Sequence, residues 1–130
     1  MNQMQQVSIK AIIIRDGKVL MVKDTKGLWE LPGGRLKFGE TPEQALKREI
    51  QEELSLEITD ISPIKNVLTF CTNKNDISKQ YLVLFYECKV NDSVIKLDDE
   101  SVTYEWVSLD KCIEYPACDI YHQILSQYQE

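Results

Sequence analysis

Histidine and cysteine are scarce in this 130-residue chain: one histidine, His122, and four cysteines, Cys71, Cys88, Cys112 and Cys118. No two cysteines have C-x-x-C spacing, and one histidine cannot complete a Cys/His set, so a zinc ribbon, a finger and a dithiol redox motif are excluded. The four thiols read as free cysteines in a reducing cytoplasm, because larger cytosolic domains rarely use disulfides. Basic residues are also few. Lys and Arg total 15 against 21 Asp and Glu, a net charge of −6. That excludes a general binder of nucleic-acid polymers or of anionic membranes, both of which need a basic surface. Long apolar runs are absent too. The longest are Ala11–Ile14, Val19–Val22 and Tyr81–Tyr86, far short of a membrane span. The opening MNQMQQVSIK has no basic n-region followed by an apolar stretch, so no signal peptide is expected. Repeats, low-complexity tracts and Pro/Gly-rich linkers are missing as well.

What remains is ordinary globular composition, with 43% hydrophobic and 28% charged residues. The length suits one domain, residues 1–130, with a core of its own. Val7–Arg15 and Lys18–Val22 flank Asp16-Gly17, which predicts a hairpin with a type I′ turn, since both central positions need positive φ. Leu28–Leu31 reads as a short strand ended by Pro32-Gly33-Gly34. Thr41-Pro42-Glu43-Gln44 opens a helix with a cap, an N1 proline and a capping-box glutamine. Leu46, Ile50 and Leu54 give that helix a buried stripe to about Leu54. Ile64–Cys71, Gln80–Val90 and Val102–Val107 read as strands, the first two joined through the polar Thr72–Lys79 region. Tyr81–Tyr86 has the look of a strand covered on both faces. A terminal helix is predicted from about Ala117 to Gln127, where Ile120, Ile124 and Tyr121, Leu125, Tyr128 recur at helical spacing. The fold class is therefore α/β, a mixed sheet between helical layers.

The central helix carries Arg48-Glu49-Ile50-Gln51-Glu52-Glu53. At ~100° per residue the three glutamates share an arc of roughly 100°, beside the apolar stripe. Like charges at i,i+3 and i,i+4 oppose helix formation by a few tenths of a kcal/mol per pair, and Arg48 offsets only part of that. A solvated acidic face accounts for such a cluster. So does a site for a hard cation such as Mg²⁺, which takes oxygen ligands.

The residues around the cluster narrow the choice. Gly34, five residues, Glu40, seven residues, then Arg48-Glu49-Ile50-Gln51-Glu52-Glu53-Leu54-Ser55-Leu56 resembles the Nudix box, G-x5-E-x7-R-E-U-x-E-E-x-G-U with U aliphatic. One position departs: Ser55 stands where the family has glycine. Trp29–Gly34 is similar to the family's lead-in to the box, and Glu105-Trp106-Val107-Ser108-Leu109 to its closing strand.

The resemblance implies a Nudix-like α/β/α sandwich of MutT-like type and hydrolysis of a nucleoside diphosphate linked to another group. By position it makes Glu49, Glu52 and Glu53 ligands of Mg²⁺ or Mn²⁺, with Glu53 or Glu49 also placed to orient or deprotonate water. Gly34 would lend its carbonyl to the metal, and Glu40 and Arg48 would shape the box by charge pairing. A further carboxylate is expected on the loop before the closing strand, with Glu100 first and Asp99 and Glu105 behind it. A diphosphate would be repelled by an acidic protein unless cations offset its charge, and no protein nucleophile is apparent. Lys23, Arg35 and Lys37 flank the box and are candidates for phosphate contact or for a solvated role. Phe70, Tyr81 and Phe85 are candidates for base stacking, with core packing as their ordinary role, and His122 is expected to be structural.

No motif of NADH- or coenzyme-A-cleaving relatives is present, which leaves a small nucleotide, most simply a (d)NTP releasing pyrophosphate. ADP-ribose, a dinucleoside polyphosphate, a nucleotide sugar, and a non-catalytic nucleotide sensor on the same fold are the alternatives. The expected partner is the small nucleotide alone, with no membrane and no nucleic-acid polymer, for a cytoplasmic monomer or homodimer. At Ser55, a helix end that needs positive φ would make serine cost on the order of 1 kcal/mol relative to glycine.

Overall fold

The computed structural model describes residues 2–74, 77–117 and 119–128. Two long strands, β1 (Asn2–Arg15) and β7 (Ile77–Val90), run parallel side by side from Asn2↔Ile77 to Ile13↔Cys88 and form the spine of the sheet. The other partners are antiparallel. β2 (Lys18–Asp24) closes the predicted hairpin with β1, with Asp16 at φ 52° and Gly17 at φ 74° in the turn. It also pairs with β3 (Trp29–Glu30) and β8 (Ser101–Ser108). β4 (Gly33–Arg35) lies on β1, while β5 (Ile58–Ile61) and β6 (Asn66–Lys74) lie on β7. The result is a mixed eight-stranded sheet.

Alternation along the strands sorts the core into two layers. Ile9, Ala11 and Ile13 face α1 (Pro42–Leu54), whose Ala45, Leu46, Ile50 and Leu54 are fully buried. Ile12, Val19, Met21, Val83 and Phe85 form the opposite layer beneath Tyr121, Ile124 and Leu125 of α2 (Asp119–Leu125). This is the expected α/β/α sandwich.

Several boundaries differ from the sequence reading. β1 begins at Asn2 rather than Val7, because the polar run before Val7 finds ladder partners along Ile77–Tyr81, which apolar patterning does not register. Gly33-Gly34 do not end the chain's strand structure. They pair with Ile9 and Lys10 as β4, where a Cβ on Gly33 (φ 143°) would strike the Ile9 carbonyl. β5 was not anticipated. β7 is covered on both faces only over Val83–Cys88, since Leu82 is 38% exposed and Lys89 is exposed as well. The terminal helix is a single short α2 followed by a 3-10 turn over Ser126–Tyr128. Cys71, Cys88 and Cys112 are free thiols, while Cys118 and the tip of the Thr72–Lys79 region lie outside the described residues.

Candidate active site

The β4–α1 loop and α1 set the geometry. Thr41 caps α1 with its hydroxyl accepting from the Gln44 N–H at 3.2 Å, while the Gln44 side chain accepts from the Thr41 N–H at 3.0 Å. This reciprocal pair fixes where α1 starts and thus the rotation of Arg48 and the three glutamates about its axis. At the other end Ser55 adopts φ 58°, ψ 35°, and its N–H donates to the Gln51 carbonyl at 3.0 Å. The left-handed conformation expected there is present. Its serine is not idle, because Oγ donates to the Lys96 carbonyl at 3.3 Å. Together with the Lys96 N–H to Leu54 carbonyl bond (3.0 Å) and the Asp98 N–H to Glu53 carbonyl bond (3.2 Å), that contact docks the 91–98 segment on the end of α1.

Arg48 organises the outer half of the site. Its Nε and Nη2 donate to the two Glu40 oxygens at 2.7 and 2.9 Å, and Nη2 also donates to the Arg35 carbonyl at 3.2 Å. Its Nη1 donates to Glu49 at 2.7 Å and to Glu52 at 3.4 Å. One guanidinium thus holds the loop carboxylate and two of the helix carboxylates, and its planar fork suits that task where an ammonium would not. These bonds hold the Glu40 carboxyl down to about 2 and raise the pKa of Arg48. Glu40 joins from outside the helix and shares the single guanidinium charge, so Arg48 offsets only part of the repulsion among the helix glutamates.

Glu49 lies against Gly34. A Cβ added there would sit 2.5 Å from the Glu49 carboxyl carbon, so the absence of a side chain at residue 34 makes room for the carboxylate. Glu52 is the open member, with its side chain 55% exposed.

Glu53 is the buried member, at 7% exposure, rather than a residue on the margin of the stripe. Burial pushes its carboxyl up to about 8; Lys10 opposes this, the charges of Glu30 and Asp98 reinforce it, and the Gly33 N–H favours the charged form. Its Oε1 is buried and has no hydrogen-bond partner among the described residues. A buried acceptor oxygen with no donor is costly and calls for an explanation in the site. A cation supplies one. The donor set is all oxygen, which fits a hard divalent ion rather than a soft one. Among the described residues, however, no three His, Cys, Asp or Glu side chains already converge as a finished metal cluster. Arg48 engages Glu49 and Glu52, while Glu53 sits with Lys10, Glu30 and Asp98.

Lys10, Glu30 and Asp98 were missed in the sequence. Lys10 is a buried cation on β1, 4.0 Å from Glu30 and 5.7 Å from the Tyr121 ring centroid. Burial works against its charge, but Tyr121, Glu30 and Glu53 outweigh that and raise its pKa. Its signal in the sequence was a single charge inside the β-branched run Val7–Ile14. From the 91–100 loop, the acid whose field reaches Glu53 is Asp98; Glu100 is exposed two residues on, its N–H donating to the Asp98 carboxylate at 3.2 Å, and Asp99 is exposed as well. Glu105 accepts from the Tyr115 hydroxyl at 2.7 Å.

The remaining candidates are scattered. Lys23 lies over the Trp29 ring at 5.9 Å, and Arg35 donates to the Gln6 side chain at 2.7 Å. The Lys37 N–H donates to Glu40 at 2.9 Å. Phe70 and Tyr81 stack on each other at 4.9 Å against the α2-side core, and Phe85 is fully buried there. His122 Nε2 lies 2.8 Å from the Tyr115 carbonyl, a structural contact.

Comparison with known proteins agrees with this geometry. The NUDIX domain model matches residues 4–127. A nucleoside triphosphatase NudI from Escherichia coli is 31% identical over 125 aligned positions, covering 85% of this chain and 87% of that protein. A MutT-like protein from Streptomyces ambofaciens is 28% identical over 113 positions, covering 85% of this chain and 69% of the relative. Among solved structures, a MutT Nudix hydrolase from Burkholderia pseudomallei superposes with a TM-score of 0.84 at 25% identity, covering 96% of this chain and 98% of the other. Sequence match, superposition and the carboxylate-bearing helix coincide, and the chain belongs to the Nudix family of hydrolases acting on nucleoside diphosphate derivatives.

Proposed function

We propose that this protein is a divalent-cation-dependent hydrolase of nucleoside triphosphates, releasing pyrophosphate and the nucleoside monophosphate. The observation that carries the reading is the unpartnered buried Oε1 of Glu53, on the same helix as a Glu49 carboxylate lodged against Gly34. The nucleoside triphosphatase relative supports the choice of substrate.

Glu49, Glu52 and Glu53, with the Gly34 carbonyl, would hold Mg²⁺, or Mn²⁺ in its place. Asp98 is the loop acid best placed to join them, because its charge acts on Glu53, while Glu100 is exposed two residues on. A bound divalent ion offsets phosphate charge and lowers the pKa of coordinated water. The protein's own part is positional. Arg48 keeps Glu49 and Glu52 from splaying apart, and its grip on Glu40 ties the β4–α1 loop to the helix. Burial holds the Glu53 carboxyl at about 8 while no cation is bound, and a divalent ion beside it would favour the ionised form that binds metal and accepts a proton from water. The group that orients or deprotonates water is Glu53, with Glu49 second.

The test is a panel of nucleotides with Mg²⁺, products identified by mass. Canonical or oxidised (d)NTPs should yield pyrophosphate. Preference for ADP-ribose, a dinucleoside polyphosphate or a nucleotide sugar would overturn the triphosphate assignment and leave the reaction class. Metal and nucleotide binding without turnover would identify a sensor.

A further inference from the structure

Ser55 is the one position at which the box departs from the family pattern, and its side chain has a partner that glycine could not supply. The 91–98 segment has no regular secondary structure and lies across the C-terminal end of α1. Its first anchor is Asn91, whose N–H donates to the Glu57 carbonyl at 3.0 Å and whose Oδ1 accepts from the Glu57 N–H at 3.2 Å. Arg15 holds the same end, donating to the Val90 and Asn91 carbonyls at 3.1 and 3.4 Å. The middle is packed on one side only. Ile95 and Leu97 rest on the α1-side core, while Val94 is 77% exposed and a cavity of about 290 Å³ lies between Val94, Ile95, Arg15 and Trp106. The second anchor is polar. Both backbone groups of Lys96 are bound to the end of α1: its N–H donates to the Leu54 carbonyl at 3.0 Å, and its carbonyl accepts from Ser55 Oγ at 3.3 Å. Two residues on, the Asp98 N–H donates to the Glu53 carbonyl at 3.2 Å.

We propose that Ser55 is a positioning residue for the metal site: its hydroxyl pins Lys96 to the end of α1 and thereby fixes Asp98 beside Glu53. The inference rests on the divalent-cation reading above and adds which residue sets the loop acid in place. Serine is strained at φ 58° where glycine is free of strain, so stability alone favours glycine at this position. The hydroxyl offsets that strain with one hydrogen bond, which leaves the fold no firmer than glycine would and makes the placement of the segment the gain. Lys96 is exposed, so water can replace the lost bond without leaving a buried acceptor. Removing the hydroxyl therefore loosens the segment rather than unfolding α1. A loosened segment leaves Asp98 beside Glu53 for only a fraction of the time, and affinity for a divalent ion falls by that fraction.

The experiment measures Mg²⁺ binding by calorimetry, and amide exchange in metal-free protein, on the wild type, Ser55→Gly, Ser55→Asn, Asp98→Asn, Glu53→Gln and the Ser55→Gly/Asp98→Asn pair. Ser55→Gly should melt close to the wild type and exchange its Lys96 and Asp98 amides faster. It should also bind Mg²⁺ roughly three- to tenfold more weakly, the scale of one neutral hydrogen bond. Asparagine tolerates left-handed backbone and its amide can donate to the Lys96 carbonyl, so Ser55→Asn should recover most of that affinity. Asp98→Asn should bind Mg²⁺ at least as weakly as Ser55→Gly. Adding Ser55→Gly to it should change little more, because both act through one carboxylate. Wild-type affinity in Ser55→Gly, or fully additive losses in the pair, would overturn the proposal. Weakened Mg²⁺ binding in Glu53→Gln alone would leave the cation reading standing and sink this inference. Wild-type binding in Glu53→Gln would remove both.

Discussion

Glu53→Gln separates two consequences of burying a carboxylate beside a metal site. In the metal-free fold burial lifts the Glu53 carboxyl from its ordinary 4.5 to about 8. Its folded value is raised, so the stability it permits is complete below 4.5 and is lost as pH climbs through about 8. At 1.36 kcal/mol per pH unit, the span between those values amounts to on the order of 5 kcal/mol, a large share of a small domain's stability. Glutamine keeps the shape and does not ionise. Denaturant unfolding in EDTA, from pH 4 to pH 9, should therefore show the two proteins near parity in acid. The glutamine variant should then gain over wild type up to about pH 8 and hold that lead above it. Other titrating groups are common to both proteins and cancel in the difference. With Mg²⁺ the order reverses: a ligand that binds only the folded state raises the wild-type melt, and Glu53→Gln should gain much less. Turnover should fall by about 10²–10³ or more, the scale of one lost electrostatic stabiliser. Parallel pH curves in EDTA would mean that Glu53 is not desolvated in solution, and equal turnover would remove it from the site.

Glu43→Gln, on the exposed first turn of α1, should keep wild-type turnover and metal response, measured in the same assays as a control. Gly34→Ala places a methyl against the Glu49 carboxyl, so it should weaken Mg²⁺ binding with the fold retained, whereas Gly33→Ala meets the Ile9 backbone and should cost much of the melt; thermal scans with and without Mg²⁺ separate them. Arg48→Lys removes the bidentate grip on Glu40, and Mg²⁺ affinity by calorimetry should drop about 10–100-fold, as for other residues that support metal ligands. At Ser55, glycine relieves about 1 kcal/mol of left-handed strain but loses the bond to Lys96, so Ser55→Gly should melt close to wild type. Ser55→Ala keeps the strain without the bond and should lose about 1 kcal/mol; a Ser55→Ala variant as stable as Ser55→Gly would refute the conformational argument.

The sequence by itself determined what is local or periodic. Asp16-Gly17 required a tight turn because two successive positive φ values suit few other pairs, and both are found. Thr41, Pro42 and Gln44 placed the first turn of α1, and the Leu46/Ile50/Leu54 stripe placed its buried side. The positive φ at Ser55 was legible as the end of a helix pattern. Helical spacing also brought Glu49, Glu52 and Glu53 to one arc, since that follows from 3.6 residues per turn alone. Only the tertiary structure decided what each of those carboxylates experiences. Glu53 is buried because the 91–98 segment and β1 close over it, and both arrive from far along the chain. The register of β1 on β7 extended the sheet through a polar stretch, since ladder hydrogen bonds do not depend on side-chain character. That same register set Lys10 beneath the site. Burial, and with it the energy of a charge, is a property of what packs around a residue; no window of neighbouring sequence contains it.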